Sequence, residues 1–180
     1  NNMITFIEDT NKGYSHRTYE NARLADATLA FAVDFTTSGE IMTQKAAEKY
    51  NKVYCQIPLQ LSGFEISKLA HTIAQELTEN NCHTLNIAGN GLSRLVKHNI
   101  TQKECDIKVE FFILQLRLCG VVIKEIRSGG QTGADESGLK AAEKCGVNSV
   151  CLCPKGWRFR TETEDISDEK LFKERFENKK

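Results

Sequence analysis

The sequence predicts an α/β fold, a mostly parallel sheet with helices on both faces. Short apolar runs alternate along the chain with longer amphipathic stretches, which is the pattern of repeated strand–helix units. One such unit carries a glycine turn, Ser128-Gly129-Gly130-Gln131-Thr132-Gly133-Ala134-Asp135, between an apolar run and a helical one. The 180 residues hold no internal repeat and no low-complexity linker, so one domain over residues 1–180 is expected.

Residues 3–7 read as a strand, 17–24 as a helix and 28–33 as a second strand. A helix near 40–50 leads to a strand at 52–57. Over 65–80, Ile66, Leu69, Ala70, Ile73, Ala74 and Leu77 recur at helical spacing, and the following strand, 83–88, ends in Gly89-Asn90-Gly91. The segment 101–118 carries two periods. Cys105, Ile107, Val109 and Phe111 alternate as on a strand, whereas Ile107, Phe111, Leu114 and Leu118 share a helical face, and the length of the segment selects helix. A strand at 121–126, a helix at 136–144 and a strand at 149–153 follow. In the charged tail, 161–180, Ile166, Leu171, Phe172 and Phe176 could anchor a short helix capped by Ser167, with residues 170–173 facing solvent.

Acidic and basic side chains balance at 24 each, which removes any general attraction to nucleic acid and leaves only a local basic group, Lys155, Arg158 and Arg160. No run of ~18 apolar residues suggests a membrane span, and the start lacks a basic region leading into an apolar signal core. Asn1-Asn2 before Met3 reads as a scar of expression. The seven cysteines are an odd number spread through apolar segments, the usage of a cytoplasmic protein with reduced thiols. Cys151 and Cys153 would face one side of a strand. His16, His71, His83 and His98 have no ligand spacing to them, so buried small side chains are favoured over a metal site and none is predicted.

A strand, a glycine turn and a helix start in that order can bind an anion, because glycines let backbone N–H groups close on a ligand and the helix N-terminus adds partial positive charge. A tight turn without a ligand has the same spacing. The turn Gly129, Gly130, Gln131, Thr132 and Gly133 is the candidate phosphate loop, with Lys155 as a point charge and Gly156 giving room beside it. Lys155 also fits a solvated loop lysine. Arg17 or Thr18 shares a helix face with Asn21. An arginine near a helix start opposes the macrodipole, which suits anion contact, although a surface ion pair with Glu20 or Asp26 is the plainer account. Trp157 and Phe159 fit either base stacking or packing.

The sequence resembles the SLOG superfamily of Rossmann-like nucleotide-binding proteins, and within it the group called "putative molybdenum carriers". The resemblance rests on Ile126 to Asp135, Cys153-Pro154-Lys155-Gly156, Tyr14 with Arg17-Thr18 and Asn21, Ala25 to Leu29, Ser38-Gly39 with Thr43, and Leu85-Asn86-Ile87-Ala88-Gly89. The order is rotated, with the glycine turn late, so the resemblance implies a circularly permuted Rossmann-like domain. It implies that Ser38, Gly39 and Thr43 face the ligand. Glu40 stands where relatives resemble a Gly-Gly-Thr turn, and it could bind ribose, act as a base or favour its own helix start. Gly89-Asn90-Gly91 departs from a Gly-Pro-Arg-like ending.

From the resemblance, the expected function is binding of a nucleotide or another phosphorylated small molecule, with a phosphorylated pterin among the possible cofactors and a carrier or sensor role. The alternative is an N-glycoside hydrolase acting on nucleoside monophosphates, with Glu40, then Asp135, as candidate catalytic carboxylates. The helix at 101–118 could cover the sheet or form the face of a homo-oligomer. Permutation also leads to the expectation that the tail beyond Phe176 ends near Tyr14.

Overall fold

The computed structural model describes residues 3–177. Asn1 and Asn2, read above as a scar, lie outside the described residues. In chain order the elements are β1 (Ile4–Glu8), α1 (Tyr14–Leu24), β2 (Ala27–Ala32), α2 (Ser38–Lys49), β3 (Val53–Pro58), α3 (Gly63–Glu79), β4 (Thr84–Gly89) and α4 (Leu92–Lys97). Then come α5 (Gln102–Leu118), β5 (Glu125–Ser128), α6 (Ala134–Lys144), β6 (Asn148–Cys153), β7 (Arg158–Arg160), β8 (Asp165–Ser167) and α7 (Glu169–Glu174). Six strands form one sheet in the order β1-β6-β5-β4-β2-β3, and every neighbouring pair is parallel. β7 and β8 make a separate antiparallel hairpin.

Alternation along the strands sorts their side chains between two layers of helices. Leu29 and Phe31 of β2, Leu85 and Ile87 of β4 and Ile126 of β5 join the large core with Leu77 of α3 and Phe112 and Leu116 of α5. Gly138 brings α6 onto the same face, since a Cβ there would strike Ile87. The intervening residues, Thr28, Ala30, Asn86 and Arg127, turn the other way, beneath α1 and α2. Two capping boxes fix where the core helices start. Ser62 exchanges hydrogen bonds with Glu65 at α3, and Thr101 with Glu104 at α5.

The helix chosen at 101–118 is present, because Val109, Phe112, Ile113 and Leu116 form one continuous buried face. Three expectations need correction. The strand placed at 121–126 begins only at Glu125, where β4 first offers a partner in Thr84, and Val122 is left exposed. In the tail, Ile166 and Ser167 belong to β8, and the cap of α7 is Asp168, whose carboxylate accepts from the Leu171 N–H at 2.8 Å. Leu171 is exposed, while Lys173 lies over the rings of Phe6 and Trp157. The tail also meets the start of the chain at β1 instead of Tyr14. Phe176 packs on Phe6 with ring centroids 5.8 Å apart, on the sheet face opposite α1.

Candidate functional site

The helix after β2 lies on one face of the sheet and those after β4 lie on the other, so the chain parts at the carboxyl ends of these neighbouring strands. A crevice at such a divergence is the usual ligand position in an open parallel sheet. Asn90, which follows β4, holds its two sides together. Its Oδ1 accepts from the Val33 and Asp34 N–H groups at 2.8 and 3.1 Å, its Nδ2 donates to the Asp34 carbonyl, and its own carbonyl accepts from the Ala134 N–H.

The cleft beneath α1 and α2 has a volume of ≈ 210 Å³. It brings together Arg17, Thr18 and Asn21 of α1, Gly39, Glu40 and Thr43 of α2, and Gly129, Gln131, Thr132 and Asp135 from the glycine turn and α6. Tyr14, Asn86, Ala88, Gly89 and Gly91 complete the lining and were not assigned to the site from sequence. Tyr14 and the strand ending at Gly89 carried the family resemblance, so the signal for them was present; Asn86 is visible only once β4 shows which of its residues face α1.

Lys155 lines a second, more open groove of ≈ 370 Å³, together with Lys12, Arg158 and Arg160. Tyr14, Arg17 and Gln131 line both spaces and join them.

Four assigned residues do not line either space. Gly130, at φ +75°, turns toward the tail, where a Cβ would collide with Cys151 Sγ and the Phe172 ring. Its role is close packing. The Gly133 N–H is taken by Gln102 Oε1 at 2.6 Å, and the Gly156 N–H donates to Glu8 Oε1 at 2.8 Å. Ser38 starts α2, whose cap is Thr37. Nor is the Thr132 hydroxyl a free donor, since it bonds the Arg160 carbonyl.

The turn is held from the tail at three consecutive residues. Arg175 Nη2 donates to the Gly130 carbonyl at 2.7 Å, Gln131 Nε2 donates to the Arg158 carbonyl at 3.0 Å, and Thr132 bonds Arg160. Arg175 also pairs with Glu136 at 2.7 Å and lies against the rings of Phe159, Phe172 and Phe176. Phe159 and Trp157 both pack edge-on against Phe172.

Charge in the main cleft is of both signs. Arg17 is only 7% exposed and donates from Nη1 to the Gly13 carbonyl. It forms no ion pair among the described residues, because Glu20 is taken by Arg23 and Asp26 accepts from the His83 and Thr84 N–H groups. Burial lowers its pKa, while Asp135 and Asp9 oppose the shift. Glu40 is 3% exposed, and one carboxyl oxygen has no partner. Burial, with Asp135 and Asp34 adding repulsion, raises its pKa to about 7. Burial raises that of Asp135 to about 6, against the pull of the Gln131 N–H and Arg17. Asn21 Oδ1 is buried without a partner as well. Cys151 and Cys153 lie apart from this chemistry, in the small core under α7.

Comparison with known proteins adds a family. A model described as the circularly permutated YpsA SLOG family matches residues 3–109, a stretch that holds α1, α2 and β4 and stops before the glycine turn. Among solved structures, a "putative molybdenum carrier protein" from Syntrophus aciditrophicus SB is similar, at 26% identity and a TM-score of 0.43. That similarity covers 63% of this chain and 62% of the other, so the chain spans less than two thirds of that relative. No curated protein matches significantly.

Proposed function

The chain belongs to the circularly permutated YpsA SLOG family, and on that footing we propose that the cleft between α1, α2 and the Gly129–Thr132 turn binds a phosphorylated small molecule, a nucleotide or a phosphorylated pterin. One observation carries this reading. Arg17 is a buried guanidinium without an ion pair among the described residues, and it faces an open cleft at strand carboxyl ends. A buried cation ordinarily has a counter-charge, since removing it from water unpaired is costly. An anionic ligand supplies that charge.

The phosphate then belongs at Arg17, where the cleft opens into the basic groove, and not deep among Glu40 and Asp135. The rest of the ligand points inward. There Asn21, Glu40 and Thr43 line the walls, and their polar side chains suit a ligand's hydroxyl or N–H groups. The main cleft and the groove together reach the ~300–1,000 Å³ common for small-molecule sites. A carrier or sensor needs only this binding.

A ligand specific for the folded state stabilises it by RT ln(1 + [L]/Kd), about 2.7 kcal/mol at a hundredfold excess over Kd. A thermal screen of nucleoside mono- and diphosphates, dinucleotides and phosphorylated pterins is therefore expected to find a compound that raises Tm by several degrees. Absence of any such compound contradicts the proposal.

A second reading is favoured by the raised pKa of Glu40. A carboxyl near 7 beside a ribose can exchange a proton at neutral pH, as N-glycoside hydrolysis requires. Release of free base from nucleoside monophosphates, abolished in Glu40→Gln, distinguishes this enzyme from a carrier or sensor.

A further inference from the structure

We propose that the groove outside the main cleft is a second anionic subsite, so that the ligand carries two linked phosphoryl groups, as in a diphosphate or a dinucleotide. The inference rests on the binding reading above and extends it to a ligand class. The groove is lined by Lys12, Lys155, Arg158 and Arg160, and it meets the main cleft at Arg17. Arg160 is occupied by Asp165 at 3.1 Å. Lys12, Lys155 and Arg158 make no ion pair and no side-chain hydrogen bond among the described residues, although the whole chain carries no net charge.

The acidic groups near the groove are engaged: Asp165, which lines it, pairs with Arg160. Glu8 accepts from the Gly156 N–H, and Asp9 accepts from His16 and the Asn11 N–H. Convergent unpaired cations in a neutral chain repel one another and gain from an anion that bridges them. One phosphate on Arg17 leaves the outer three unsatisfied. A phosphoanhydride extends the charge along the groove, with the first phosphoryl at Arg17 and the second toward Lys155 and Arg158. The carboxyls of Glu40 and Asp135 fix this direction, because they exclude the anionic end from the inner cleft.

The backbone geometry keeps the test clean. The bond from Gln131 to residue 158 goes to its carbonyl, which the substitution Arg158→Ala retains. Calorimetric titration at low ionic strength compares inorganic phosphate with pyrophosphate on the wild type, on Lys155→Ala with Arg158→Ala, and on Arg17→Ala. The expected result is pyrophosphate binding on the order of tenfold tighter than phosphate in the wild type. That gain is lost in the double variant, whose affinity for phosphate stays near the wild-type value, and Arg17→Ala weakens both probes. If wild type binds phosphate and pyrophosphate equally, or the double variant keeps the gain, the second subsite is wrong and the Arg17 site stands. Failure of the wild type to bind either probe overturns both.

Discussion

On the face of the sheet covered by α3, α5 and α6, the strands present Leu29, Phe31, Leu85, Ile87 and Ile126 to a continuous apolar core. On the face covered by α1 and α2, the same strands present Thr28, Ala30, Asn86 and Arg127, and the helices answer with Ala22, Ala46, Ala47, Asn21, Arg17 and Glu40. The first face is filled by large side chains. The second is lined by small and polar ones, and three of the four buried side-chain atoms without a hydrogen-bond partner among the described residues lie on it: Asn21 Oδ1, Glu40 Oε2 and Arg127 Nε, while Ser149 Oγ is on the apolar face in register with Ile126. Each such group costs stability. The contrast teaches that one face supplies most of the folding free energy while the other gives up some of it to the polar groups that line the cleft.

The largest effect is expected on the apolar face. Phe112 is fully buried and meets the Phe31 ring edge-on at 5.4 Å, so Phe112→Ala should lower stability by ~3–5 kcal/mol in urea unfolding. A loss below about 1 kcal/mol would mean that this face is not the main source of stability.

The polar face should respond in the opposite sense. Unfolded Glu40 releases its proton near 4.5 and folded Glu40 near 7, so the native state holds an extra proton between those values. Stability therefore falls as pH rises from about 4.5 to 7 and stays reduced above. The shift corresponds to about 3 kcal/mol. Glu40→Gln removes this penalty and is expected to raise stability at pH 8 by up to that amount, with little change near pH 4. Destabilisation at pH 8 would assign Glu40 a structural role.

A smaller loss is expected at the rim, where the turn meets the tail. Gly130→Ala sets a Cβ against Cys151 and Phe172 at a positive φ, and should lower stability by ~1–3 kcal/mol without entering the cleft. Smallest of all is Lys155→Ala, which should leave Tm unchanged while weakening pyrophosphate binding, since the exposed side chain makes no contact that folding needs.

The parallel sheet and most of its helices were legible because their apolar periods are local properties of the chain. The family resemblance and the rotated order of its pieces were legible too. What escaped depends on tertiary contacts. The β7–β8 hairpin has three-residue strands, and α4 has six residues, each too short for a period to register. The direction of Gly130 is set by Phe172, far along the chain. The site was legible by residue type at Arg17, Asn21, Glu40 and Thr43, which do converge, whereas the division of labour was not. Sequence suggested a backbone phosphate loop, but several of that loop's polar groups are bonded within the protein.

The central claim is that Arg17 is buried for a ligand's sake, and Arg17→Met tests it by comparing Tm with and without pyrophosphate. If the guanidinium waits for an anion, the variant without ligand melts at or above the wild-type temperature, because methionine fills similar space without an unpaired charge. The increase in Tm with pyrophosphate then disappears. A variant that melts well below wild type and still gains the full increase with pyrophosphate would make Arg17 a structural residue and contradict the account.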